Sequence, residues 1–262
     1  NNPKNQLITP KKTKTMTKFS EIGHAKNVAN FSEIIDFCKS YGSDYNPSKE
    51  SIQIPNLETL LTNSQTAINN VTENLIEFTN ATSTRQNTFN PLKKLFTKIT
   101  NAVAVTDATK NTIEDTKSIN KKIQGIRITP KNNTNTTTKE TDTTDKRNIS
   151  TSQQSYDQKI EHTNKMITLL KTIPSYNPNE KELQITTLET LLQDMKNAND
   201  LVTKTYVNLS NSRIKRNQTL YQENTGLYNI VTEIKKYIKS VFGANSPQHK
   251  QITRMKFSPL NK

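Results

Sequence analysis

Leu57, Leu61, Ser64, Ile68, Val71, Leu75, Phe78, Thr82, Arg85 and Phe89 follow one another at spacings that alternate four and three without a break. Leu188, Leu192, Met195, Asn199, Val202, Tyr206, Leu209, Arg213, Arg216 and Leu220 repeat the series later in the chain. Such spacing puts every member on one stripe of an α-helix, whereas a strand would need a period of two. Each stripe is held for more than four heptads, which predicts a helix about 50 Å long packed along a partner as a coiled coil. The composition agrees. Of 262 residues, 31% are hydrophobic, none is tryptophan and five are glycine. That is too little apolar material for a thick spherical core, yet enough for a stripe along each helix.

The two series belong to an internal duplication. Residues 45–61 read YNPSKESIQIPNLETLL, and residues 176–192 read YNPNEKELQITTLETLL. Upstream, Ile34, Ile35 and Cys38 align with Met166, Ile167 and Leu170; downstream, Ile123, Ile126, Arg127, Ile128 and Pro130 align with Ile252, Met255, Lys256, Phe257 and Pro259. The organisation expected is a basic flexible arm over 1–22, a helical repeat over 23–130, an Asn/Thr-rich linker over 131–152 and a second helical repeat over 153–262. Each repeat starts with a short helix, which in the first carries Phe31, Ile34, Ile35 and Cys38 on one face. A Tyr-Asn-Pro turn follows, where the proline disfavours helix at the preceding Asn. After the long helix comes another, marked by Leu92, Leu95, Phe96, Ile99 and Val103 in one copy and Leu227, Ile230, Ile234, Ile238 and Val241 in the other. Gly243, Ser246 and Pro247 suit a helix end, a new N-cap and its first turn. The segments KKIQGIRIT and KQITRMKFS fit either helical ends or extended pieces. The fold class expected is all-α: an elongated helical bundle of two pseudo-repeated, coiled-coil-like hairpin units.

Charge is distributed unevenly, and the unevenness repeats. Residues 44–90 hold two bases and five acids and residues 176–210 three and five, whereas 91–130 hold eight and three and 211–262 ten and two. Acidic first arms and basic second arms help helices choose partners more than they stabilise them. The chain still carries a formal charge of +14, which either makes a solvated lysine-rich surface or serves a polyanion such as nucleic acid. Candidate polyanion contacts are Lys11, Lys12 and Lys14 in the arm, and Lys235, Lys236, Lys239, Lys250, Arg254 and Lys256 near the C-terminal end. Lysine outnumbers arginine, the residue preferred for bidentate recognition, and no zinc-finger, RNP-like or KH-type signature occurs.

Arg85 and Arg216 occupy seam positions in both copies and read as register anchors or, less simply, anion anchors. Either would need a partner if buried. Tyr228, Tyr237 and Phe242 are surplus apolar positions and candidate partner contacts. Cys38 shares its face with core residues, and three scattered histidines do not make a metal site. With no P-loop, GxSxG, HExxH or CxxC pattern, no catalytic residue, cofactor or metal ligand is expected, and the chain reads as non-enzymatic. No run reaches the length of a membrane span, and the location expected is cytoplasmic.

With GHAKNVANF at 23–31, the two YNP turns followed by LETLL, KKIQGIR at 121–127 and YIKSVFGANSPQHKQI at 237–252, the chain resembles a duplicated all-helical protein family common in Bacteroidetes, for which no activity is established. The resemblance covers about 23–259 and implies a bacterial origin and a duplicated helical architecture, not a mechanism. The function expected is that of a structural or interaction protein, a helical scaffold binding other proteins or copies of itself. The alternative is a nucleic-acid or ribonucleoprotein-associated protein that contacts phosphates through its basic arm and C-terminal helices. No small-molecule substrate is expected.

Overall fold

The computed structural model describes residues 23–126 and 154–260; the expected arm and linker, with Lys11, Lys12 and Lys14, lie outside them. The protein is all-α: every regular element among the described residues is helical. In chain order these are α1 (His24–Ser40), α2 (Ile54–Phe89), α3 (Leu92–Ala104), α4 (Lys110–Gln124), α5 (Tyr156–Lys171), α6 (Ile185–Tyr221), α7 (Leu227–Phe242) and α8 (Pro247–Arg254).

Local chemistry accounts for the boundaries. The Thr109 hydroxyl accepts from the Thr112 amide at the start of α4, and Gly125 ends that helix with φ 78°, a left-handed conformation that glycine adopts without steric cost. Ser155 and Ser246 cap α5 and α8 in the same way, accepting from Gln158 and His249, and Pro247 sits in the first turn of α8. The two undecided segments begin as helix. After Arg254 the chain turns extended at Met255, with φ −74° and ψ 116°.

The two Tyr-Asn-Pro turns are built alike. Tyr45 donates its hydroxyl proton to the Ile52 carbonyl at 2.7 Å, and Tyr176 donates to the Leu183 carbonyl at 2.9 Å. Each closes a loop that ends in a single 3₁₀ turn before a long helix. Beside them Lys39 pairs with Glu58 at 2.7 Å and Lys171 with Glu189 at 2.6 Å.

The packing units do not coincide with the sequence repeats. Unit 1 comprises the described residues up to Asn70 together with those from Ile214 onward, and unit 2 comprises the described residues between Val71 and Arg213. In unit 1, Phe31, Ile34, Ile35 and Cys38 of α1 pack with Leu227, Ile230, Val231, Ile234 and Ile238 of α7 and Ile252 of α8. In unit 2, Leu92, Phe96, Ile99 and Val103 of α3 and Ile123 of α4 pack with Met166, Ile167 and Leu170 of α5 and with Leu188, Leu192 and Met195 of α6. Each core therefore combines the first short helix of one repeat with the last two helices of the other. Two ion pairs join the repeats in the same sense, Lys49 with Glu233 in unit 1 and Lys98 with Glu182 in unit 2, both at 2.6 Å.

Candidate interaction surfaces

Arg85 belongs to α2 and is committed within unit 2. Its Nη1 donates to Asn199 Oδ1 at 3.1 Å, and its guanidinium carbon lies 4.0 Å from the centroid of the Tyr156 ring. Tyr156 is packed edge-on against Phe89, with centroids 4.8 Å apart. Asn199 passes the interaction on by donating to Asp157 at 2.9 Å. An amide oxygen and an aromatic face thus meet the seam arginine, with a carboxylate one hydrogen bond further away. In unit 1, Arg216 donates from Nε and Nη2 to Asn217 Oδ1 at 3.1 and 2.7 Å. Nearby, His24 Nδ1 lies 2.8 Å from Tyr221 Oη. Burial, and then the charge of Arg216, lower the pKa of His24.

No nucleophile is prepared among these groups. Cys38 is buried, and desolvation pushes its thiol up to about 12, so it stays protonated and unreactive. Among the described residues no three His, Cys, Asp or Glu side chains could hold a metal ion together, and no helix is long and apolar enough to cross a membrane.

The basic C-terminal group divides into two kinds. Lys235 is half-buried: it donates to the Met255 carbonyl at 2.8 Å and stands 5.2 Å from the centroid of the Phe257 ring. Desolvation lowers its pKa, as expected for a cation used as an internal strut. Lys236, Lys239, Lys250, Arg254 and Lys256 are exposed. Two of the three apolar candidates are used inside unit 1. The Tyr237 hydroxyl accepts from the Asn46 amide at 3.1 Å and its ring meets Tyr45 edge-on, while Phe242 packs on Tyr41 at 5.2 Å. Tyr228 is partly exposed.

Two features of unit 2 go beyond what the periodicity shows. The first is a seam that is closed on α6 at Val202 and Leu209, which are buried, and open between them. Leu75 is 43% exposed and Tyr206 56%, although both hold heptad positions that a closed coiled coil would bury. Phe78 and Tyr206 touch at 5.9 Å between centroids, so these stretches of α2 and α6 do meet. Ile76 and Val207 beside them are 55% and 48% exposed. Heptad position marks the face of a helix, not the number of helices that cover it, so this exposure belongs to the folded structure and not to the pattern.

The second is His162 of α5, which is 1% exposed with neither ring nitrogen hydrogen-bonded among the described residues. Burial lowers its pKa first, and the charges of Lys122 on α4 and Lys165 on α5 add to this against the opposing Glu161. The folded protein therefore keeps this imidazole neutral below the ordinary histidine value of 6.5, whereas the unfolded chain protonates there. Stability is at its full value above 6.5 and falls as the pH drops below it. Thermal melts between pH 7 and pH 5 should show a declining midpoint, and His162→Gln should flatten the decline, leaving the part due to His24. An unchanged slope in that variant would contradict the assignment.

Comparison of the chain with protein-family models, curated proteins and solved structures gave no match.

Proposed function

We propose that the protein is a non-enzymatic interaction protein that offers the open seam of unit 2 to a helix supplied by another protein or by a second copy. The observation that carries the reading is the exposure of Leu75, Ile76, Tyr206 and Val207 on two helices already in contact. A two-helix stretch with half-exposed seam residues is a coiled coil short of a strand, and an added helix would take its knobs into the vacant holes. Half-exposed apolar side chains on a chain with a mean hydropathy of −0.82 are also where association would remove apolar surface from water.

The test places a photo-crosslinking p-benzoylphenylalanine at Ile76 in the full chain, expressed in cells of the source organism. The expected result is a discrete adduct, with a partner or with a second copy, that disappears in Leu75→Ser/Tyr206→Ser. That double variant should change unfolding stability by about 1 kcal/mol or less, because both side chains are already half in water. Absence of any adduct, or an adduct indifferent to the double variant, overturns the reading.

A further inference from the structure

Unit 1 holds a site that is independent of the open seam of unit 2. A cavity of about 670 Å³ lies beside α1, α8 and the extended chain after α8, and Lys26, Glu33, Gln251, Arg254, Lys256 and Phe257 are among its lining residues. One wall is backbone fixed from both sides. Asn27 donates from Nδ2 to the Ser258 carbonyl at 2.8 Å and accepts at Oδ1 from the Ser258 amide at 3.0 Å, and Asn30 donates to the Lys256 carbonyl at 2.8 Å. Lys235 holds the Met255 carbonyl at 2.8 Å. The chain that carries Lys256 is thus anchored at three successive points while its ammonium stays exposed.

The three cations at the cavity come from three separate segments: Lys26 from α1, Arg254 from the last turn of α8, and Lys256 from the extended chain. None of them forms an ion pair among the described residues. Between Ile234 and Leu260 the sequence contains no Asp or Glu, so Glu33 is the single carboxylate in the lining. Three positive charges against one negative leave a surplus that an anion can neutralise. The planar fork of arginine and the mobile ammonium of lysine are the groups that bind phosphate oxygens well.

We propose that this cavity binds a compact ligand bearing two or more adjacent phosphates, with Arg254 taking two oxygens of one phosphate and Lys26 and Lys256 neutralising the next. The surplus of two charges selects against monoanions, and Glu33 sets that selectivity by opposing them. Lys236, Lys239 and Lys250 do not line the cavity, so the site is a pocket and not a track along a polymer.

The probe is inorganic tripolyphosphate, titrated calorimetrically into the full chain at a physiological ionic strength of about 0.15 M, where diffuse surface attraction is largely screened. Saturable binding to one site is expected. Losing the charged hydrogen bonds in Arg254→Gln should weaken it about tenfold or more, Glu33→Gln should tighten it, and Lys236→Gln should leave it unchanged. Arg254 is exposed, so a melting curve matching the parent shows that the variant is folded. Absence of saturation below about 1 mM, or equal losses in Arg254→Gln and Lys236→Gln, overturns the pocket. A single-stranded oligothymidylate that displaces tripolyphosphate at a lower phosphate concentration would also overturn it, in favour of a polymer.

Discussion

When the chain is divided within the segment between its two repeats, neither half is expected to fold alone, and mixing the halves should restore the helical signal and a cooperative melt. The reason lies in where each core finds its residues. Phe31, Ile34, Ile35 and Cys38 are each at most 1% exposed, and the α7 and α8 side chains against them come from the other half. Burying one such large side chain is worth about 1.5–3 kcal/mol. Losing the set exceeds the lower end of the ~5–15 kcal/mol by which a domain is usually stable. Unit 2 is affected equally, since Phe96, Ile99 and Val103 face Met166, Ile167 and Leu170 across the same division. Circular dichroism of the separate and mixed halves checks this. Monomeric halves that each unfold cooperatively would show that α1 and α5 can find equivalent partners within their own repeats.

Phe96→Ala should cost about 3–5 kcal/mol, the range for removing a fully buried aromatic ring from a packed core. Phe96 is 1% exposed and belongs to the cluster containing Ile99, Val103, Met166 and Leu170. Its helix has little freedom to close the gap, because the neighbouring Ile99 and Val103 are themselves buried on the same face. The useful comparison is Phe78→Ala, the same substitution on the open seam, where about 1 kcal/mol is expected because part of the ring is already in water. Urea denaturation of both variants measures the difference. Equal losses would mean that the seam at Phe78 is as closed as the core at Phe96, and would remove the basis for a partner there.

Much of the fold is legible in the sequence because helices announce themselves by period. The stripes at 57–89 and 188–220 lie in the continuous helices α2 and α6, and Gly243, Ser246 and Pro247 separate α7 from α8 as their chemistry predicts. What periodicity leaves open is pairing. Ile34, Ile35 and Cys38 on α1 resemble Met166, Ile167 and Leu170 on α5 so closely that either face could pack on either set of later helices. Hydrophobic burial has no direction to decide between them. The candidate sites divide along the same line. Charge and composition single out Lys235 together with Lys236 and Lys239, but the acceptor that takes Lys235 out of this set is a main-chain oxygen at Met255, which no side-chain pattern reports. The isolation of His162 is hidden for a related reason. An imidazole on an apolar face looks the same in sequence whether or not a partner reaches it.

The pairing of early with late helices also sets an order of events during synthesis. Every described residue of unit 2 lies between Val71 and Arg213, so its core can close while the remainder is still being made. Unit 1 has to wait for Ile252 and Met255, because α8 and the residue after it supply the last of its core. At about 5–20 residues per second, the interval between the completion of α1 and that of α8 is roughly 10–40 s. Through that interval Phe31, Ile34 and Ile35 lack the α7 and α8 part of their core, and the nascent chain is exposed to whatever binds unpaired apolar helices. Of the described helices, α1 is made before all the others and is among the last to complete its packing.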